Sequence, residues 1–81
     1  MSYTVYIIYS RILDRYYVGY TATDINIRLR KHNSKHIGFT GKHPDWVLKY
    51  TETFSSKTEA MQRERQIKSW KSRIKIEQLI N

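Results

Sequence analysis

The sequence contains no cysteine, and its 7 acidic residues are outnumbered by 15 lysines and arginines. The absence of cysteine excludes disulfide bonds, thiolate zinc sites and a cysteine nucleophile. It also fits a reducing compartment, so we expect a cytoplasmic protein. The shortage of acids leaves a net charge of +8 on 81 residues. A charge of this size favours nucleic acid as the partner over an anionic membrane surface.

Long hydrophobic runs and chain breakers are also scarce. The longest apolar run, residues 5–9, is far too short to cross a bilayer. No basic segment followed by an apolar one resembles a secretion signal, so we expect no membrane association. The single proline, Pro44, lies near Gly38 and Gly41, and this cluster predicts a polar loop over residues 34–45. The length predicts one domain, residues 1–81.

The remaining sequence alternates between strand-like and helix-like segments. Residues 3–9 and 16–21 are rich in β-branched and aromatic residues and are expected to pair as a hairpin, and residues 46–53 predict a third strand. Helix caps are expected at Thr23 or Asp24, at Ser56, which begins a capping box, and near Ser72. The second helix should run from about Lys57 to about Trp70. The predicted fold is therefore α+β: a three-stranded antiparallel sheet flanked by helices, in the order β-β-α-β-α-α.

Five short motifs occur in a fixed order along the chain. They are Thr4-Val5-Tyr6, then Tyr17-Val18-Gly19 after ten intervening residues, the segment 28–33 with Arg28 and His32 four residues apart, the segment 60–64 ending in Glu64, and Ile67-Lys68. Together they resemble the GIY-YIG nuclease superfamily, in particular its small single-domain bacterial members, from about Tyr3 to about Leu79. Thr4 stands where that family has glycine. Gly19 within a strand indicates a close approach of backbone or ligand.

The resemblance implies a metal-dependent DNA endonuclease. It assigns Glu64 as the ligand of a single Mg²⁺ or Mn²⁺ ion, weakly bound without substrate, and Arg28 as the residue that grips the scissile phosphate. An Arg guanidinium matches two phosphate oxygens. From the pattern alone, Glu64 is better explained as the i, i+4 partner of Lys68 on a helix surface, and the resemblance decides in favour of the metal ligand.

Two tyrosines and a histidine complete the set that the resemblance implies to be catalytic. Tyr6 or Tyr17 would take a proton from the attacking water; we favour Tyr6, and the other tyrosine would orient water or phosphate. A free phenol has a pKa of about 10, so Arg28 or the metal would have to lower it. His32 would relay the proton or bind phosphate, and the alternative is a histidine that interacts with the helix dipole. The other tyrosines of the first two strands are interpreted as packing residues: Tyr3, Tyr9, Tyr16 and Tyr20.

The excess of basic residues predicts contacts with the DNA backbone. The residues expected to bind nucleic acid are Arg28, Lys31, Lys35, Lys42, Arg63, Lys68 and Lys71. His36 and His43 are interpreted as loop residues that can touch DNA. No base-reading helix is recognisable, so we expect branched, flapped or damaged DNA to be recognised by its shape. We expect the protein to act as a monomer, and a separate targeting protein is a possible partner. The alternative is a nucleic-acid-binding module that is not catalytic or is active only with a partner.

Overall fold

The computed structural model describes residues 2–34 and 45–81. Three strands and three helices occur in this part of the chain in the predicted order, and no bound that the sequence gives differs from the observed one by more than one residue. Within these ranges no helix is long and apolar enough to cross a membrane. The elements are β1 (Tyr3–Ser10), β2 (Arg15–Thr21), α1 (Ile25–Asn33), β3 (Trp46–Phe54), α2 (Lys57–Ser69) and α3 (Arg73–Ile80).

The sheet has the order β2-β1-β3, and both pairings are antiparallel. The predicted hairpin is confirmed, with Tyr6 opposite Gly19 and Ile8 opposite Tyr17. The pairing of β1 with β3 has an irregularity between Ile7 and Ile8. β1 is therefore the central strand, with a hydrogen-bonded neighbour along each of its edges.

Apolar side chains of β1 alternate between two clusters on opposite faces. Val5 and Ile7 pack with Ala60 and Ile67 of α2, while Tyr6 and Ile8 pack with Trp46. All four β1 residues are at most 1% exposed. This explains why the strand is apolar on both faces, as expected of a strand covered on both sides. Side chains of α3 also pack against the first cluster, among them Ile76, Leu79 and Ile80. Side chains of α1 pack against the second cluster, among them Ile25 and Leu29.

Each helix begins at a polar cap that the sequence predicts. The side chains of Asp24, Ser56 and Ser72 accept hydrogen bonds from backbone N–H groups in the first turn of α1, α2 and α3. The end of α1 is fixed to the start of β3, because the Asn33 amide donates to the Trp46 carbonyl at 3.0 Å and accepts from the Trp46 N–H at 2.7 Å. These contacts set the position of α1 over the sheet.

Charged side chains fasten α3 to the turn between β1 and β2. Arg73 Nη2 donates to Asp14 Oδ1 at 2.7 Å, and Arg73 Nε donates to Glu77 Oε2 at 3.3 Å. The Tyr9 hydroxyl donates to the same Asp14 oxygen. The hydrogen bond from Arg73, followed by that from Tyr9, lowers the pKa of Asp14 to about 2.

The lowered pKa of Asp14 predicts a loss of stability in acid. An unfolded Asp has a pKa of about 3.9, so the contribution of Asp14 to the free energy of unfolding is complete above about pH 4 and is lost as the pH falls through about 2. We expect Asp14→Asn, which tolerates the left-handed backbone at φ 53°, to reduce the dependence of Tm on pH in this window. Thermal melts followed by circular dichroism measure the effect, with Asp24→Asn as the control. A fall in Tm of equal size in wild type and Asp14→Asn would contradict it.

Candidate active site

An open cleft of about 520 Å³ lies beside β1 and β2, between residues of α1 and α2. Arg28 approaches it from α1, and Glu64 and Lys57 approach it from α2. Glu64 is the only acid among the lining residues that the structure describes. These residues are Tyr3, Tyr6, Tyr17, Gly19, Tyr20, Thr21, Ala22, Arg28, Lys57 and Glu64.

Tyr6 is the centre of a hydrogen-bonded group at the base of this cleft. Its side chain is 1% exposed, and its hydroxyl lies 2.6 Å from His32 Nε2. Arg28 Nε donates to the same hydroxyl at 3.4 Å. His32 is itself buried, and its ring meets the Tyr6 ring edge-on at 5.6 Å between centroids. The i, i+4 spacing of Arg28 and His32 on α1 is what brings both side chains to one phenol.

The absence of a side chain at Gly19 makes room for the Tyr6 hydroxyl. A Cβ atom at Gly19 would lie 2.5 Å from the Tyr6 hydroxyl oxygen and 2.7 Å from Cζ. The sequence predicts a close approach of backbone or ligand at this glycine. The close approach is present, but the approaching group is the side chain of Tyr6. Gly19 and Tyr6 face each other directly in the register of the hairpin.

Gly19→Ala should therefore disturb the Tyr6 group. The added methyl would push the ring out of a fully buried position, at a cost of roughly 1–3 kcal/mol in the free energy of unfolding. It would also break the contacts of the hydroxyl with His32 and Arg28. We expect a lower Tm and a larger fall in any hydrolytic rate than in DNA affinity. Val18→Ala, at the neighbouring buried position, is the control for a loss of stability alone. Equal hydrolytic rates for Gly19→Ala and Val18→Ala, compared at the same folded fraction, would contradict the interpretation.

Burial raises the pKa of Tyr6 above its ordinary value, even though the hydrogen bond and charge of Arg28 act to lower it. Arg28 therefore acts on the pKa of Tyr6 in the predicted direction, but burial raises that pKa by more than Arg28 lowers it. Desolvation of a phenolate in a buried site is the larger contribution. The His32 ring nitrogen, 2.6 Å from the Tyr6 hydroxyl, is close enough to exchange a proton with it.

Tyr17 lies on the same face of the hairpin and contacts the other side of His32. The two ring centroids are 5.1 Å apart, and the Tyr17 ring also meets Trp46 edge-on at 6.3 Å. Lys68 Nζ lies 5.7 Å from the centre of the Tyr17 ring. Both tyrosines of the two tripeptides therefore line the cleft and contact one histidine, as expected for strands paired in this register.

Glu64 carries the carboxylate of the cleft. Its side chain is 17% exposed, and Oε1 lies 3.4 Å from Lys68 Nζ one turn along α2. The pair with Lys68 that the helical spacing predicts is confirmed. Glu64 also lines the cleft, and its role as the metal ligand stays a prediction. Within residues 2–34 and 45–81, no three His, Cys, Asp or Glu side chains gather in a way that could hold a metal ion. A Mg²⁺ ion that takes one carboxylate, several waters and substrate phosphates is compatible with this single acid.

Comparison with known proteins connects this arrangement to a family. The family described as the GIY-YIG catalytic domain matches residues 2–78. The chain belongs to the GIY-YIG family. Its domain is of the nuclease type, as the paired tripeptides and the placement of Arg28 and Glu64 predict.

Relatives and a solved structure place the chain among small GIY-YIG proteins. A UPF0213 protein of Staphylococcus haemolyticus is 41% identical over 64 residues, covering 78% of this chain and 77% of that protein. A UPF0213 protein of Halobacterium salinarum is 44% identical over 54 residues, covering 65% and 69% of the two chains. The solution NMR structure of a UPF0213 protein from Bacillus halodurans has a TM-score of 0.61 and 40% identity, and covers 99% of this chain and 83% of that one. The α+β fold is shared with that structure.

The GIY-YIG cleft does not contain every residue that the sequence predicts to bind nucleic acid. Arg63 pairs with Glu52 of β3 through Nε at 3.1 Å and Nη2 at 3.0 Å, outside the cleft. Lys31 lies on the outer surface of α1 beside Ile27, and Lys71 lies between α2 and α3. Their DNA contacts stay predictions. Lys68 pairs with Glu64 and does not line the cleft. Four further candidates lie outside the described residues: Lys35, Lys42, His36 and His43.

Among the residues of the GIY-YIG cleft that are missing from the site predicted by sequence, three have aromatic or charged side chains. Tyr3 and Tyr20 are predicted only to pack the sheet, and Lys57 is predicted only as part of a basic helix face. All three line the cleft. One signal in the sequence points to Lys57: it lies seven residues before Glu64, two helical turns away on the same face of α2.

Proposed function

We propose that this GIY-YIG protein is a metal-dependent endonuclease that hydrolyses DNA phosphodiester bonds. The observation that carries the proposal is the convergence of Arg28, Glu64 and the Tyr6–His32 pair on one cleft. Hydrolysis of a phosphodiester needs an activated water, positive charge for the developing phosphate charge and a path for a proton. The cleft offers a group for each requirement.

Arg28 binds the scissile phosphate. Its Nε is occupied by the Tyr6 hydroxyl, and its two Nη groups make no hydrogen bond to another described residue. They therefore face phosphate oxygens with donors already oriented by the Nε contact. The contact with Tyr6 also raises the pKa of Arg28, which keeps the guanidinium charged. This orientation is the reason that Lys is a poor substitute at this position.

Tyr6 and His32 move the proton of the attacking water. The protonated Tyr6 donates its hydroxyl hydrogen to His32 Nε2, 2.6 Å away, as its oxygen takes a proton from the water. The positive charge of Arg28 stabilises the phenol oxygen while it is without its hydrogen. Tyr17, on the other side of His32, orients the water or the phosphate. The raised pKa of Tyr6 makes the histidine necessary, because the phenol does not ionise unaided near neutral pH.

Glu64 would hold a single Mg²⁺ or Mn²⁺ ion in the cleft. When bound, such an ion neutralises charge on the phosphate and stabilises the departing oxygen. A single carboxylate ligand implies weak binding of the ion in the absence of DNA. Lys68 occupies the vicinity of Glu64 in the free protein and is half exposed, so it can move aside or contact phosphate.

DNA is recognised through its backbone and shape. The net charge of +8 supplies a salt-dependent attraction to phosphates, and the cleft contains no set of side chains arranged to read base edges in a duplex. We expect structured or damaged DNA to be preferred. A separate targeting protein would supply any further selectivity.

A panel of end-labelled DNA substrates tests the proposal. Flap, bubble, four-way and plain duplex DNA are incubated with the purified protein in Mg²⁺, Mn²⁺ or EDTA, and binding is followed by gel shift at several salt concentrations. We expect cutting only with a metal ion, and affinity that falls steeply as salt rises. Salt-dependent binding with no cutting of any substrate would contradict the endonuclease and support the binding module.

A further inference from the structure

The seven tyrosines divide into two groups by what their hydroxyls contact. Four of them hydrogen-bond to an acid or a histidine of the chain: Tyr6, Tyr9, Tyr16 and Tyr50. In the other three the hydroxyl makes no hydrogen bond to another described residue, and all three line the cleft: Tyr3, Tyr17 and Tyr20. Tyr17 contacts His32 and belongs to the catalytic group. Tyr3 and Tyr20 have no part in the chemistry proposed above.

Tyr3 and Tyr20 lie next to each other at one end of the cleft. Tyr20 is opposite Val5 in the hairpin, so Tyr3, two residues earlier on β1, is its diagonal neighbour on the same face. Aromatic side chains at such positions are within reach of each other. Both rings are half-buried: one part packs against the apolar cluster around Val5, and another part lines the cleft. The cluster holds the rings in place and leaves a surface open to a ligand.

Lys57 adds a positive charge to the same end of the cleft. It is exposed, lies in the first turn of α2 and lines the cleft with the two tyrosines. Aromatic rings beside a lysine form the combination that binds single-stranded nucleic acid, where bases stack on rings and cations hold the backbone. A base within a continuous duplex is already stacked on both sides and has no free face for this contact.

We propose that Tyr3 and Tyr20 form a stacking site for an unpaired base beside the scissile phosphate, and that Lys57 binds a phosphate of that unpaired strand. The inference rests on the proposed nuclease function and names its substrate class: nucleic acid with at least one unpaired nucleotide next to the bond that is cut. Stacking accepts every base, so the site selects structure without selecting sequence. Arg28 and Glu64 then act on the adjoining phosphate.

Binding measurements on matched ligands test the stacking site. A fluorescent flap DNA, the same flap with an abasic nucleotide at successive positions beside the junction, and a continuous duplex are titrated into Glu64→Gln protein, which leaves the DNA uncut. In this background we compare Tyr20→Leu and Tyr3→Leu, which remove the aromatic face, with Tyr20→Phe, which keeps it. Tyr50→Leu is the control, because Tyr50 packs in the same apolar cluster and does not line the cleft.

The expected result is a coupling between ring and base. Tyr20→Leu and Tyr3→Leu should each weaken flap binding by roughly 5- to 100-fold, the range found for stacked bases, and should leave duplex and abasic-flap binding nearly unchanged. Tyr20→Phe and Tyr50→Leu should bind all ligands as the parent does. If a leucine variant fails to fold, the parent protein alone decides the test. It must then bind the abasic flap more weakly than the normal flap.

Two other results would overturn the inference. Equal affinity of the parent for normal flap, abasic flap and duplex would exclude the stacking site while leaving the nuclease proposal intact. Failure to bind any of them would overturn both. Cutting of the flap by wild-type protein with Mg²⁺ is measured in parallel, so coupling without cutting would support the stacking site and contradict catalysis.

Discussion

Glu64→Ala is expected to abolish metal-dependent DNA cleavage while leaving DNA affinity unchanged or raised. Among the described residues, Glu64 is the only acid that lines the cleft, so its removal takes away the carboxylate assigned to the ion. Loss of a group that stabilises transition-state charge costs at least about 100-fold in rate. The same change removes a negative charge from a surface that attracts phosphates and releases Lys68, which explains the expectation for affinity.

The comparison needs a control on the same helix. Glu59→Ala removes an exposed carboxylate from the first turn of α2, away from the cleft lining, and should cleave DNA at a rate close to that of wild type. Rates are measured under single-turnover conditions and affinities by anisotropy in EDTA. A parallel loss of affinity and rate in Glu64→Ala would count against its role as the metal ligand.

Arg28→Ala has the second largest expected effect. It removes the group that we assign to the scissile phosphate and the donor that faces the Tyr6 hydroxyl at 3.4 Å. We expect cleavage to fall by roughly 100- to 1,000-fold, and the slope of log affinity against log salt to decrease by about one, as for the loss of one phosphate contact. Arg28→Lys should recover little of the rate, because an ammonium cannot both meet Tyr6 and present two parallel donors to phosphate.

Arg30→Ala is the matched control for Arg28. It lies on the same helix, is exposed and does not line the cleft. It removes the same charge, so a small loss of affinity is expected, with the rate of cutting of bound DNA unchanged. If both arginine variants lost rate equally, Arg28 would act only through general charge and not through the geometry of the cleft.

Most of the fold follows from local patterns in the sequence. Strands β1 and β2 consist of β-branched and aromatic residues, and the helices begin at Asp24, Ser56 and Ser72, so their bounds depend on neighbours in sequence. The pairing of Arg28 with His32 near one phenol also follows from helical spacing. The helical pattern itself predicts the Glu64–Lys68 pair, and the resemblance to the family placed Glu64 in the site.

The remaining features depend on contacts between distant parts of the chain. Tyr16 and Tyr20 are both tyrosines of β2, and the sequence does not distinguish them. Tyr20 lines the cleft, whereas the Tyr16 hydroxyl donates a hydrogen bond to Glu77 of α3. Arg63 is one of several cations of α2, and only the approach of β3 brings Glu52 to it. The pKa of Tyr6 depends on the balance between burial and Arg28, and that balance is a property of the packed structure.

The most direct test of the central claim is an end-mapped cleavage assay on flap DNA. The purified wild-type protein is assayed with Mg²⁺ and with EDTA, and purified Glu64→Ala is assayed beside it with Mg²⁺. The ends of each product are then identified. The account predicts cutting by wild type with Mg²⁺ alone, with products that carry a 5′-phosphate and a 3′-hydroxyl. Cutting that persists in EDTA or in Glu64→Ala, or no cutting by wild type under any of these conditions, would contradict it.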